Sequence, residues 1–147
     1  MKKKVLVVIR DGRGYRADPV NNAIAEVDTP NTDMIMAGIV IDVGTHFSRV
    51  RALTDSDTNI AVRIVGSEIY GFLTGNGSNN PTIGLFSDPK FQPTKGLKLI
   101  TSNISGVLPA GLIVGEMIDS TDVSVVSPKR LSRVMVLKFD THKNEYR

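Results

Sequence analysis

Catalytic chemistry has few places to reside in this chain, and each can be tested by residue type and spacing. The stretch "VIDVGTHFSRVRALTD" holds His46 and Ser48 with Asp42 and Asp55 nearby, the ingredients of an activated serine nucleophile. In an extended strand, residues two apart share a face but lie roughly 6–7 Å apart, beyond hydrogen-bond reach. No oxyanion-binding motif accompanies them, so a hydrolase is not expected. A second stretch, "TGNGSNNP" over residues 74–81, is glycine-rich like a phosphate-cradling loop. That use needs a helix N-terminus after the loop and a Lys-Ser/Thr pair within it, and neither follows. Asn and Gly tolerate the left-handed backbone of tight turns, so the reading is a hairpin tip. A third candidate is Asp11, which with Gly12 ends an apolar run; without further ligands it reads as an ordinary turn aspartate.

The elements that would position these residues are mostly strands. Lys4 to Ile9 is a short β-branched run bounded by charge and by Asp11-Gly12, the pattern of a buried strand. Asn22 could cap a short helix over Ala23–Val27, and Asn31 or Thr32 a second one starting near Asp33. From Gly38 onward the texture changes. Ile39-Ile41-Val43 and Val50-Ala52 alternate on either side of Gly44-Thr45, and "NIAVRIV", "EIYGFLTG", "TIGLFS", "LKLITS", "LIVGEMI", "VSVV" and "RVMVLKF" follow as short apolar runs with turn residues between most of them. Spacings of roughly 8–12 residues indicate a barrel or sandwich. The expected fold is mainly β: a small barrel with an N-terminal strand and one or two short helices.

Composition narrows the function classes. The chain of 147 residues is 41% hydrophobic and 22% charged, enough for one core. It has no cysteine, which removes disulfides and thiolate metal sites, and its two histidines are His46 and His142. Of the 18 basic and 15 acidic residues, six and five fall in residues 1–36, so the net charge of +3 is spread thinly. With aromatics at 5%, no stacking platform joins a basic face, and nucleic-acid binding is not expected. The longest apolar runs fall far short of the ~20 residues that span a bilayer. Without a signal peptide or anchor, the chain as written reads as cytoplasmic.

Residues 1–36 carry "KKVLVVIRDGRGYR" followed by "NNAIAEVDTPNTDMI". The order of strand, Asp11-Gly12, Gly14-Tyr15, Asn22-Ala23-Ile24 and Thr29-Pro30-Asn31-Asp33 resembles the N-terminus of cofactor-independent phosphoglycerate mutase, of the alkaline phosphatase superfamily. That resemblance implies that Asp11 is a ligand of a two-metal manganese site and that the activity would be metal-dependent isomerisation of phosphoglycerate. Arg13 stands where that family usually has tryptophan. Ser48 and Ser56 lie at about the distance of its serine nucleophile but lack its motif, and most of its metal ligands are missing, so such a fragment is expected to be inactive. A single carboxylate fills few of the about six oxygen positions that Mn²⁺ requires.

Residues 37–147 present other signposts. Ser48-Arg49-Val50 precedes Leu53-Thr54-Asp55, Val62-Arg63 precedes the Gly71–Gly77 hairpin, and Thr101-Ser102 precedes Gly106-Val107-Leu108-Pro109-Ala110-Gly111 and Val114-Gly115, before a closing "LSRVMVLKF". This order is similar to the second half of the β domain of the rod shape-determining protein MreC. The resemblance implies a non-catalytic scaffold for cell shape and wall elongation, without cofactor, on the periplasmic side of the inner membrane. Its implied partners are a penicillin-binding transpeptidase and further copies of itself. Arg49 and Arg63 read as solvated strand residues or partner contacts. The chain thus reads as fusion-like, dividing into residues 1–36 and 37–147. A strand edge left open by a halved β domain would favour pairing with Val5–Ile9 or homo-oligomers.

Overall fold

The computed structural model describes residues 3–10, 34–131 and 134–140. Within these residues, ten strands form one continuous sheet: β1 (Lys3–Arg10), β2 (Met34–Val43), β3 (Ser48–Ala52), β4 (Asn59–Ile64), β5 (Tyr70–Thr74), β6 (Thr82–Gly84), β7 (Lys98–Thr101), β8 (Ile113–Met117), β9 (Val123–Val125) and β10 (Met135–Asp140). Each apolar run read from the sequence is one of these strands. The helix proposed over Ala23–Val27 lies outside the described residues. The helix proposed from near Asp33 gives way to β2, which starts at Met34. Tertiary pairing decided this: Met34 to Val40 lies against β1, and Gly38, a weak helix former, takes a place in the ladder opposite Val7. The expected boundary after residue 36 falls inside this strand.

The sheet curls until its far strand meets its middle. β8, β7, β4, β5 and β6 are neighbours in that order, and β9 pairs with β8. The curl closes where β6 returns to the β8–β9 hairpin. Thr82 bridges Asp122, the Ile83 N–H donates to the Thr121 carbonyl at 2.9 Å, and the Val123 N–H donates to the Pro81 carbonyl at 2.9 Å. Closure removes the open edges that these short strands would otherwise expose. Inside sit Leu53, Ile60, Val62, Ile64, Leu73, Leu99, Leu112, Val114, Met117 and Val123, all buried. Gly115 sits between β7 and β9, where a Cβ would run into the Ser124 carbonyl. Glycine there lets β8 and β9 pack tightly.

Two threonines tie loops to this core. Thr101 is fully buried; its hydroxyl donates to the Pro109 carbonyl at 2.6 Å and accepts from the Leu112 N–H at 2.9 Å. It thereby fixes the loop carrying Gly106 and Gly111, both at positive φ. Thr58 donates to the Ala52 carbonyl at 2.6 Å and joins the end of β3 to the start of β4.

Outside the barrel lies a second layer. β1 runs antiparallel between β10 and β2, and β2 continues beyond β1 to form a hairpin with β3. β2 belongs to both parts, since Ile35 also pairs with Ile113 of β8. Register shifts between Val7 and Val8 and between Val40 and Asp42 mark bulges, which strengthen local twist.

Candidate functional site

The residues suggested for catalysis do not assemble. His46 is exposed at the tip of the β2–β3 hairpin, whose turn is closed by the Gly44 N–H donating to the Phe47 carbonyl at 2.7 Å. Ser48 begins β3, and Asp42 lies opposite Arg49. Among the described residues, no side-chain hydrogen bond joins His46, Ser48 and Asp42. The Asp55 carboxylate caps its own turn by accepting the Asp57 N–H at 2.8 Å, and Ser56 is exposed in that turn. The glycine-rich loop is the β5–β6 hairpin tip, as its turn chemistry indicated. Asp11 lies outside the described residues. Among those that are described, no group of three or more His, Asp or Glu side chains is placed to hold a metal ion.

What the second layer does assemble is an apolar cleft of about 450 Å³. Its floor comes from one face of the β2–β3 hairpin: Ala37, Val40, Val43, Val50 and Ala52 line it, with Ser48 as the one hydroxyl among the described residues. Register explains the grouping. Val40 lies opposite Val50, Gly38 opposite Ala52, and after the bulge Val43 opposite Ser48, which puts one row of small and β-branched residues on one face. One wall is made by Val134 and Val136 of the closing segment and by Pro128 and Leu131 around the 3₁₀ turn Pro128–Arg130. The opposite face of the layer supplies Ile39 and Leu137, which pack against the barrel core. One face is therefore used internally and the other is left to solvent: Val43 is 66% exposed, Val50 44%, Val134 51% and Val136 52%. Apolar side chains contiguous on a sheet face are the kind of surface that binds another protein.

A second groove of about 590 Å³ runs between the hairpin and the barrel, lined by Ile39, Ile41, Phe72 and Val107 together with Arg51 and Asp57. Arg63, half-buried, pairs with the exposed Glu68 at 3.6 Å, whereas Arg49 is exposed. Among the described residues neither Arg49 nor Arg51 has an ion-pair partner. On the β8–β9 turn the carboxyl of Asp119 is held below its ordinary range, chiefly by the backbone N–H of Asp122 and then by that of Thr121. These are turn contacts, not a reactive centre.

The exposed apolar row carries no reactive residue type to mark it, yet the sequence signals it. "MIMAGIVIDV" is apolar at both strand parities, where a sheet with one wet face would alternate with polar residues. A strand apolar on both sides expects cover on both.

The family model described as rod shape-determining protein MreC, barrel core, matches residues 21–144. It takes in residues 21–36, which their motifs had likened to the mutase. The cell shape-determining protein MreC of Cereibacter sphaeroides is 33% identical over 87 residues, 59% of this chain and 29% of its own length. That of Caulobacter vibrioides is 35% identical over 89 residues, 59% of this chain and 25% of its own length. The chain thus spans between a quarter and a third of the length of these relatives. The crystal structure of MreC from Pseudomonas aeruginosa superposes with a TM-score of 0.60 at 23% identity, covering 71% of this chain and 74% of that one, which shows a shared fold. With the family model covering most of the sequence and the barrel matching in three dimensions, the chain belongs to the MreC family.

Proposed function

We propose that this chain is a non-catalytic scaffold module of the cell-shape machinery, acting by presenting its second-layer sheet to protein partners of wall elongation. One observation carries the reading: among the described residues, the lining of the cleft between β2, β3 and the closing segment is apolar apart from Ser48, so what it offers is binding area. The partners favoured by the family are a penicillin-binding transpeptidase and a second copy of the chain, on the extracytoplasmic side of the membrane. No described helix is long and apolar enough to cross a bilayer. Scaffolding of this kind requires no cofactor.

Binding of the purified chain to the transpeptidase's extracytoplasmic part, followed by fluorescence anisotropy, tests this. Val50→Lys should weaken binding without unfolding the barrel. Equal binding by both chains would remove the cleft from consideration. The alternative, a mutase-like fragment, rests on the resemblance of residues 1–36 alone. It requires Mn²⁺-dependent interconversion of 2- and 3-phosphoglycerate that disappears in Asp11→Ala. The division of the chain at residue 36 is testable separately. If residues 37–147 form a domain by themselves, a chain starting at residue 37 will still unfold cooperatively.

A further inference from the structure

Asn76-Gly77 is the single Asn-Gly dipeptide of the chain, and it sits at the exposed tip of the β5–β6 hairpin. Such a pair carries intrinsic chemistry. The backbone nitrogen of the glycine attacks the asparagine Cγ, a new N–Cγ bond closes a succinimide ring, and the Cγ–Nδ2 bond breaks. The proton from the glycine nitrogen leaves with Nδ2 as ammonia. Water then opens the ring at either carbonyl, giving aspartate or isoaspartate. Glycine favours the attack because no Cβ obstructs the approach.

Each reacting group at this tip is already engaged. The Gly77 N–H donates to the Thr54 carbonyl at 2.8 Å, with Gly77 at φ +77. The nucleophile therefore points at the Leu53–Thr58 turn. The leaving group, Nδ2 of Asn76, donates to the Asn80 carbonyl at 3.0 Å. The Oδ1 atom accepts from the Ser78 N–H at 2.9 Å and from the Ser78 hydroxyl at 2.7 Å. The last pair of bonds polarises the Cγ carbonyl and would by itself assist attack. Geometry outweighs polarisation, because no bond can form while the nitrogen is committed elsewhere. The tip cannot simply slide to free it. The Gly75 N–H is bonded to the Thr58 carbonyl at 3.0 Å, and Gly75 packs so closely on the backbone of Leu53 and Asp55 that a Cβ has no room.

We propose that Asn76 is a latent modification site, an asparagine poised for conversion to aspartate or isoaspartate that the fold keeps unreactive until the hairpin tip lifts from the Leu53–Thr58 turn. Conversion would not be silent. A carboxylate is an acceptor and cannot replace the Nδ2 donor to Asn80, and isoaspartate adds a backbone atom between positions anchored to Thr58 and Thr54. Pro81 and Thr82, which carry the barrel's closing contacts, follow within a few residues.

The test compares the full chain, folded in neutral buffer and unfolded in urea at the same pH, by mass spectrometry of the peptide containing residue 76. Conversion adds one mass unit, and isoaspartate separates chromatographically. The folded chain should convert at least roughly tenfold more slowly, because rate follows the population of the locally opened form. Gly75→Ala, whose Cβ would run into the Asp55 carbonyl, pushes the tip off the Leu53–Thr58 turn and should raise the ratio of folded to unfolded rates. In the unsubstituted chain, urea below the unfolding transition should raise the folded rate in the same way, because it favours local opening. Equal rates in folded and unfolded chains, no conversion in urea, or a folded rate that neither Gly75→Ala nor mild urea raises would each overturn the proposal.

Discussion

The barrel and the second layer use the same residue types to opposite ends. In the barrel, Val62, Leu99 and Val114 are fully buried. In the second layer, Val43, Val50 and Val136 occupy regular strand positions, yet nearly half or more of each is exposed. The difference lies in closure. Six strands that return on themselves at Thr82 and Asp122 surround their apolar side chains, whereas the layer of β10, β1, β2 and β3 stays open, its described side chains divided between the barrel (Ile39, Leu137) and solvent (Val43, Val50, Val136). Apolar content thus stabilises the first region and remains available for binding in the second.

Substitutions that treat the two regions alike should separate them. Leu99→Ala removes a fully buried side chain and should cost about 2–5 kcal/mol in chemical denaturation. If it cost no more than a surface change, the barrel would not be the stabilising unit. Thr101→Val keeps the shape and strands the Leu112 N–H and the Pro109 carbonyl, for about 1–3 kcal/mol and earlier hydrogen exchange in the loop between them. On the open layer, Val50→Lys should change stability by no more than about 0.5 kcal/mol while weakening partner binding roughly tenfold, about 1.4 kcal/mol. A large loss of stability instead would mean that the apolar row is structural.

The smallest effect concerns Asp119. Its carboxyl titrates below the unfolded value of 3.8, so the stability it contributes is present above that value and is lost as pH falls through the lower, folded one. Asp119→Asn retains the acceptor and removes the charge. The acid limb of the stability curve should flatten slightly, and an unchanged limb would show that the contact carries no charge-dependent stability.

Sequence patterning made the strands legible because period-two runs and turn residues are local signals. "NIAVRIV" and "LKLITS" declare β4 and β7 without reference to their neighbours. Met34–Met36 was misread as helical because its cue, a cap at Asn31 or Thr32, was local while the deciding contact, the ladder with β1, was not. The closing bridge between Thr82 and Asp122 was invisible for a similar reason: one residue pair forty positions apart leaves no periodic trace. The candidate cleft was half legible. Alternation groups Val40 with Val50, but the bulge at Val40–Asp42 decides that Val43 joins them, and no pattern reveals that the row stays uncovered.

The strand shared by both regions also has a mechanical meaning. β2 is bonded to β1 along one edge and to β8 and β3 along the other. Tension applied at the Phe47 tip along the strand axis would load these rungs in shear, many at once, whereas tension across the sheet would peel β3 away rung by rung. The protein is therefore stiff in one direction and compliant in another. For a part built into a larger framework, the direction of a pull would matter as much as its strength.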